Sequence, residues 1–200
     1  MEWIVWGGLL MTMLALLTVF VVLPGRSKPL PVLGSLPDFA LTDQNNQNLT
    51  LASFRGDVWI ADVIFTRCAG QCPIMSAHMQ TIQDSLPAGL PIKLVSFTTD
   101  SAFDTSEVLK KYAARYGARD RQWIFLTGSK AALRNATVDG LKLGVMDTPP
   151  SERANPDDLF IHSQKLVVID QKGQIRGYFD GETAEGASEA LAAAQRLARP

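Results

Sequence analysis

Residues 58–73 read VWIADVIFTRCAGQCP and contain both cysteines of the chain. The run 58–65 is almost continuously apolar, which is typical of a strand in the middle of a sheet that is covered on both faces. A helix is predicted to open at Pro73, because proline is tolerated at the first helical position, where its missing N–H would have no partner. The stretch therefore predicts a buried strand that leads through a short turn into a helix.

Strands and helices alternate along the rest of the sequence. Further elements are predicted as a short hairpin at 39–51, strands at 92–97 and 123–126, a helix whose start is signalled by Asp104 and Glu107, a helix from Ser129, a hairpin at 166–179 and an alanine-rich helix at 184–198. This order indicates an α/β fold with one mixed sheet and helices on both faces. Residues 147–158, with three prolines, are predicted to form a long surface loop before His162.

The composition excludes some classes of partner and names none. The chain has 200 residues, a formal net charge of −1 and 20% charged residues, so it has neither the basic surplus of a nucleic-acid-binding protein nor an acidic disordered tail. Its hydrophobic fraction of 46% is an average over two different parts. Residues 3–23 contain no charged side chain, and all the charged residues except Glu2 lie in the remainder of the chain.

The apolar N-terminal run has the length of a membrane span. A helix of 21 residues is about 31 Å long, close to the hydrocarbon core of about 30 Å. The chain begins Met1-Glu2 and lacks the basic start and short apolar run of a cleaved signal peptide. We predict a transmembrane anchor at residues 1–23, a tether rich in proline and glycine at 24–37, and a globular domain at 38–200. A buried core helix is the disfavoured alternative.

The orientation of this anchor is weakly specified by charge. Arg26 and Lys28 follow the apolar run and no basic residue precedes it. Taken literally, the rule that basic residues stay on the cytoplasmic side places the domain in the cytoplasm.

The two cysteines, Cys68 and Cys72, stand between the predicted strand and the helix that follows it. A helix N-terminus favours thiolate over thiol, and Arg67 adds to this effect if its side chain turns toward the sulfurs. Gly70 allows the intervening backbone to bend, so a reversible disulfide is compatible with the spacing. The alternative is a pair of buried small side chains or a passive staple. Open α/β sheets place their sites where a strand passes into a helix, which favours a functional dithiol.

Two histidines are available, and they differ in position. His78 lies six residues after Cys72, on a different face of the predicted helix, and is expected to be a surface or hydrogen-bonded histidine. His162 follows the proline-rich loop, from which it could reach the end of the sheet. Two thiolates and one imidazole form a soft ligand set that suits Cu(I) or zinc better than magnesium or calcium. A histidine that is merely hydrogen-bonded in a loop is the alternative for His162, and Met75 and Met79 are expected to pack in the core.

Residues 36–198 resemble the Sco/SenC family of membrane-anchored copper proteins, which have a thioredoxin-like domain and take part in assembling the dinuclear copper centre of cytochrome c oxidase. The segments that carry the resemblance are Pro37-Asp38-Phe39, Phe65-Thr66-Arg67-Cys68 with Cys72-Pro73, Asp100 with Asp104-Thr105, Leu126-Thr127-Gly128, and His162-Ser163 before Leu166-Val167-Val168-Ile169-Asp170.

The resemblance implies a function, a location and a set of partners. It implies copper binding by Cys68, Cys72 and His162, and a thioredoxin-like domain that faces the periplasm or intermembrane space, against the weak charge signal. The implied partners are the copper-site subunit of cytochrome c oxidase and other copper chaperones.

Two functions from different classes follow from these residues. The first is a membrane-tethered copper chaperone that delivers copper to an oxidase subunit or reduces the cysteines of its copper site. The second is a metal-independent thiol–disulfide oxidoreductase, although the spacing of Cys68 and Cys72 is not the Cys-x-x-Cys of thioredoxins. A peroxidase with one reactive cysteine is a third, less favoured possibility.

Overall fold

The computed structural model describes residues 3, 6–8, 11–13, 29–87, 89–152 and 159–199. The chain forms two compact units, Met1–Leu30 and Pro31–Pro200. Most of the predicted anchor at 1–23 and most of the predicted tether lie outside the described residues, and residues 3, 6–8 and 11–13 are helical. Within the described part of the chain, no helix combines the length and apolar character needed to cross a bilayer.

The second unit contains the strands and helices of the globular domain. In chain order the described elements are β1 (Gly34–Ser35), β2 (Ala40–Asp43), β3 (Asn48–Thr50), a 3-10 turn (Leu51–Phe54), β4 (Val58–Ile64), α1 (Gln71–Ser85), β5 (Ile92–Thr98), α2 (Ser106–Arg115), β6 (Trp123–Thr127), α3 (Lys130–Arg134) continued by a π-helical turn (Asn135–Gly140), β7 (Val145–Asp147), a 3-10 turn (Pro150–Glu152), β8 (Phe160–His162), β9 (Lys165–Ile169), β10 (Gln174–Asp180) and α4 (Ala184–Ala198).

Eight of these strands form one mixed sheet in the order β1-β10-β9-β4-β5-β6-β2-β3. The central strands β4, β5 and β6 are parallel, and the remaining pairings are antiparallel. All seven residues of β4 are buried, as expected for a strand whose two faces are both covered. The predicted mixed α/β sheet is confirmed, with β4 at its centre.

Alternating side chains of β4 enter two separate cores. Trp59, Ala61 and Val63 belong to an aromatic-rich cluster on one face, in which Trp59 stacks on Phe54 with ring centroids 5.1 Å apart. Because side chains alternate along a strand, Ile60, Asp62 and Ile64 point to the other face. Helix α4 packs on β4 and β9 and also contacts α1. Helix α1, which contains Cys72, therefore lies over the face of β4 that carries Asp62.

Three boundaries differ from the sequence predictions. The sheet already includes β1, and Leu36 is buried in the core, so the folded part extends into the predicted tether. Helix α1 begins at Gln71, two residues before Pro73. Helix α2 is capped by Thr105 and not by Asp104, since the Thr105 hydroxyl accepts a hydrogen bond from the Val108 amide at 3.3 Å.

The predicted loop at 147–158 lies between two short strands that the sequence did not predict. Strands β7 and β8 pair antiparallel in a two-stranded sheet of their own, with Val145 opposite His162 and Asp147 opposite Phe160. We call this two-stranded sheet the β7–β8 ribbon. The six residues 153–158 of the predicted loop lie outside the described residues. His162 is consequently held by the second strand of the ribbon.

Candidate thiol and metal site

The two cysteines lie where the central strand passes into α1. Cys72 is the second residue of α1 and is fully buried, whereas Cys68 lies in the preceding turn and is partly exposed. Both are free thiols. The strand-to-helix turn therefore brings one accessible and one buried sulfur to the same place.

His162 reaches these sulfurs from the β7–β8 ribbon. Its Nε2 atom lies 3.2 Å from the Cys72 sulfur, and its Nδ1 atom lies 3.2 Å from the Ser163 carbonyl oxygen. The Phe65 ring packs edge-on against His162, with ring centroids 6.0 Å apart, and also against Phe160. These contacts fix the imidazole from the side. The structure thus brings His162 next to the dithiol, across 90 residues of sequence.

The sulfurs of Cys68 and Cys72 and the Nε2 atom of His162 therefore lie close together, but they do not form a complete metal-binding site. Among the residues that the structure describes, no group of three His, Cys, Asp or Glu side chains has the arrangement of a ready-made metal site. The metal-ligand role of Cys68, Cys72 and His162 stays a prediction at this point.

The two thiols differ strongly in their affinity for a proton. Hydrogen bonds from the Cys72 thiol, from His162 and from the backbone amides of Cys72 and Gly70 lower the pKa of Cys68 to about 4, against the opposing effect of burial. The same contact with Cys68, together with burial, raises the pKa of Cys72 well above its ordinary range. Cys68 is therefore the thiolate of the reduced pair, and Cys72 carries the shared proton.

This asymmetry predicts a distinctive pH profile for alkylation. We expect the reaction of Cys68 with iodoacetamide to be near its plateau already at about pH 6, because the thiolate is fully formed above its lowered pKa. An ordinary thiol would still be accelerating through about pH 8 to 9. Peptide mapping of the alkylated chain should find the label on Cys68 and not on buried Cys72. A rate that rises mainly above about pH 8 would contradict this assignment.

Arg67 does not turn toward the sulfurs. Its guanidinium donates to the Asp100 carboxylate from Nε at 3.1 Å and from Nη2 at 2.5 Å, and it lies over the Phe103 ring at 4.2 Å. The conditional expectation that Arg67 stabilises the thiolates is wrong, because Asp100 holds this charge. The pair instead ties the cysteine turn to the loop after β5.

Asp104 forms a second link between the cysteine turn and the loop after β5. Its carboxylate accepts a hydrogen bond from the Thr66 amide at 3.1 Å and from the Thr66 and Thr98 hydroxyls. These bonds explain why Asp104 is not available to cap α2. The turn that carries Cys68 is thus anchored by two acidic residues of the β5–α2 loop.

The remaining histidine and the two methionines take the structural roles predicted for them. The His78 ring approaches the Gly181 carbonyl oxygen through Nδ1 at 2.8 Å and does not join the sulfurs. Met75 and Met79 are fully buried in the core under α1.

Sequence reasoning missed Asp62, the one charged residue of β4. It is fully buried, and within the described residues neither of its carboxylate oxygens has a hydrogen-bond partner. Burial raises the pKa of Asp62 to about 6, an effect that the nearby Ser96 hydroxyl and His162 partly offset. A charged residue inside an otherwise apolar strand was the available signal, because such residues are rare in a core.

Comparison with known families identifies the chain. Residues 33–199 match the family model described as SCO1/SenC. The chain belongs to the SCO1/SenC family. It is 32% identical over 145 residues to the SCO1 protein homolog of Bacillus subtilis, covering 72% of each chain. It is also 31% identical over 151 residues to a protein of Stutzerimonas stutzeri whose name proposes copper binding, covering 74% of this chain and 71% of the relative.

A solved SCO1/SenC structure supports the fold. BsSco, a member of the Sco family of cytochrome c oxidase assembly proteins in which a disulfide switch has been identified, is 27% identical to this chain. The match covers 84% of this chain and 99% of BsSco, with a TM-score of 0.68. The predicted thioredoxin-like α/β fold of the SCO1/SenC domain is confirmed.

Proposed function

We propose that this chain binds copper between Cys68, Cys72 and His162 and takes part in cytochrome c oxidase assembly, with copper as its cargo. The observation that carries the proposal is the 3.2 Å approach of His162 Nε2 to the Cys72 sulfur, next to the thiolate of Cys68. Two sulfurs and an imidazole are the donors that copper and zinc prefer among protein ligands. Copper is favoured over zinc by the proposed copper binding of the Stutzerimonas stutzeri relative and by the role of BsSco in oxidase assembly.

The donor set fits copper in its chemistry as well as in its position. Cys68 is already a thiolate, and binding a metal at Cys72 would release the proton that this thiol holds. The second ring nitrogen of His162 lies at the Ser163 carbonyl oxygen, which would keep Nε2 free to act as a ligand. We further propose that the chain delivers copper to the copper-site subunit of the oxidase and receives it from other copper chaperones.

We propose that residues 1–23 anchor the chain in a membrane and that the domain lies on the extracytoplasmic side. The support for the anchor is the charge-free run at 3–23, and the support for the extracytoplasmic side is membership of the SCO1/SenC family, against the weak charge signal of Arg26 and Lys28.

A metal-independent thiol–disulfide oxidoreductase is the second candidate. It is favoured by the unequal proton affinities of Cys68 and Cys72, since an accessible thiolate attacks a partner's disulfide and a buried thiol then resolves the mixed disulfide. The same chain could reduce the cysteines of an oxidase copper site before loading them.

Copper titration of the full-length chain in its reduced and oxidised states tests the first candidate. We expect the dithiol form to bind about one equivalent of copper against a chromogenic chelator, and the form with a Cys68–Cys72 disulfide to bind far more weakly, because oxidation removes two thiolate donors. A matched titration with zinc measures selectivity. Equal copper binding by the two forms would exclude the cysteines as ligands, and disulfide reduction by a chain that binds no copper would favour the second candidate.

A further inference from the structure

Asp62 is a buried charge in an otherwise apolar strand. It is fully buried, none of the ion pairs among the described residues includes it, and its two carboxylate oxygens have no hydrogen-bond partner there. Its neighbour across the sheet is Ser96, whose hydroxyl oxygen accepts a hydrogen bond from Trp123 Nε1 at 3.0 Å. A carboxylate in such surroundings is unfavourable for the fold, and buried carboxylates are ordinarily paired. The sheet alone gives no reason for Asp62.

The charge of Asp62 acts on two of the proposed copper ligands. Its negative charge contributes to the raised pKa of Cys72, and His162 in turn lowers the pKa of Asp62. Asp62 also lies on the strand that leads into the cysteine turn, and its side chain is on the face of β4 that is covered by α4, which contacts the helix that holds Cys72. Protein between buried charges screens them far less than water does, so this charge also acts on an ion held by Cys72 and His162.

We propose that Asp62 is a buried countercharge that raises the affinity of the site for Cu(II) relative to its affinity for Cu(I). This inference rests on the proposed copper function. With two thiolates and a neutral imidazole, the donors carry two negative charges. Cu(II) neutralises them, whereas Cu(I) leaves one negative charge. A nearby carboxylate attracts the dication more strongly than the monocation, so Asp62 raises the affinity for Cu(II) relative to that for Cu(I).

The test compares the two affinities in one variant. Competition with Cu(II) and Cu(I) chelators at about pH 7.5 is expected to show that Asp62→Asn lowers the ratio of Cu(II) to Cu(I) affinity about tenfold or more. Asp62→Glu keeps the charge and should retain most of the ratio. A ratio of affinities is the decisive readout, because a general loosening of the site lowers both affinities together.

Asp170→Asn is the matched control. Asp170 is also a buried acid, but it follows β9 at the end of the sheet away from the cysteines, where it pairs with Arg176 at 2.7 Å. This variant should keep the wild-type ratio.

The outcomes separate this inference from the function on which it rests. If the wild-type chain binds neither copper ion through its cysteines, the proposed function fails. If the wild type binds copper and Asp62→Asn keeps the ratio of Cu(II) to Cu(I) affinity, or changes it no more than Asp170→Asn does, the countercharge hypothesis is wrong. The proposed function would then still stand. Asp62→Asn should fold, since it removes an unpaired buried charge. Failure to fold, checked by circular dichroism, would show that Asp62 is needed for the structure and would overturn the inference.

Discussion

Replacing His162 with alanine is expected to lower the affinity of the reduced chain for copper by about two orders of magnitude or more. The imidazole is one of three donors, and even residues that only support a metal ligand contribute about ten- to a hundredfold to metal affinity. The fold should survive, because His162 is partly exposed and lies on the β7–β8 ribbon outside the main sheet. Competition with a chelator of known affinity measures the loss.

His78→Ala is the matched control for this experiment. His78 is also half-buried and in contact with a carbonyl oxygen, but it lies on α1 against Gly181 and away from the sulfurs. Its replacement should leave copper affinity within a factor of a few. If the two variants lose affinity equally, or if His162→Ala binds as the wild type does, His162 is not a ligand and the three-donor site is wrong.

Asp62→Asn is expected to stabilise the metal-free chain by about 3 kcal/mol at about pH 7.5. The pKa of Asp62 rises from 3.8 in the unfolded chain to about 6 in the folded one. Below about pH 4 both states are protonated and the group has no effect. As the pH rises toward 6, the unfolded state loses its proton first, so ionisation of Asp62 increasingly favours unfolding, by about 3 kcal/mol in total.

Urea unfolding of wild type and variant at about pH 4 and about pH 7.5 checks the sign and the size of this effect. The difference in unfolding free energy should be large at the higher pH and should shrink toward zero at the lower one. A variant that is less stable than the wild type at about pH 7.5 would mean that the folded protein stabilises the Asp62 carboxylate.

Local sequence patterns predicted most of the fold. The apolar run of β4, the Ser129 cap of α3 and the alanine-rich helix α4 all lie where simple rules place them. These elements are long, or they carry a strong cap, so neighbouring residues determine them. The β7–β8 ribbon was missed because each strand has three residues and shows no period, so that only contact between segments far apart in sequence defines it.

The residues that meet at the candidate site were predictable from the sequence, whereas the electrostatics of the site were not. The spacing of Cys68 and Cys72 at a strand-to-helix turn was visible in the sequence, and the resemblance supplied His162. The pairing of Arg67 with Asp100, and the hydrogen bonds that Thr66 donates to Asp104, depend on a loop more than 30 residues away. Such long-range partners decide which charges face the sulfurs, and no local rule gives them.

The β7–β8 ribbon has a consequence for the geometry of the predicted donor set. Cys72 lies in the first turn of α1, while His162 belongs to a strand that, within the described residues, pairs with β7 and not with the main sheet. Separating His162 from Cys72 therefore breaks none of the hydrogen bonds that hold the eight strands together. The predicted donor set is therefore divided between the main sheet with its helices and a separate ribbon, which is tied to the core by Val145 and by the contacts of Phe65 with Phe160 and His162, so the position of the ribbon sets the distance between His162 Nε2 and the Cys72 sulfur.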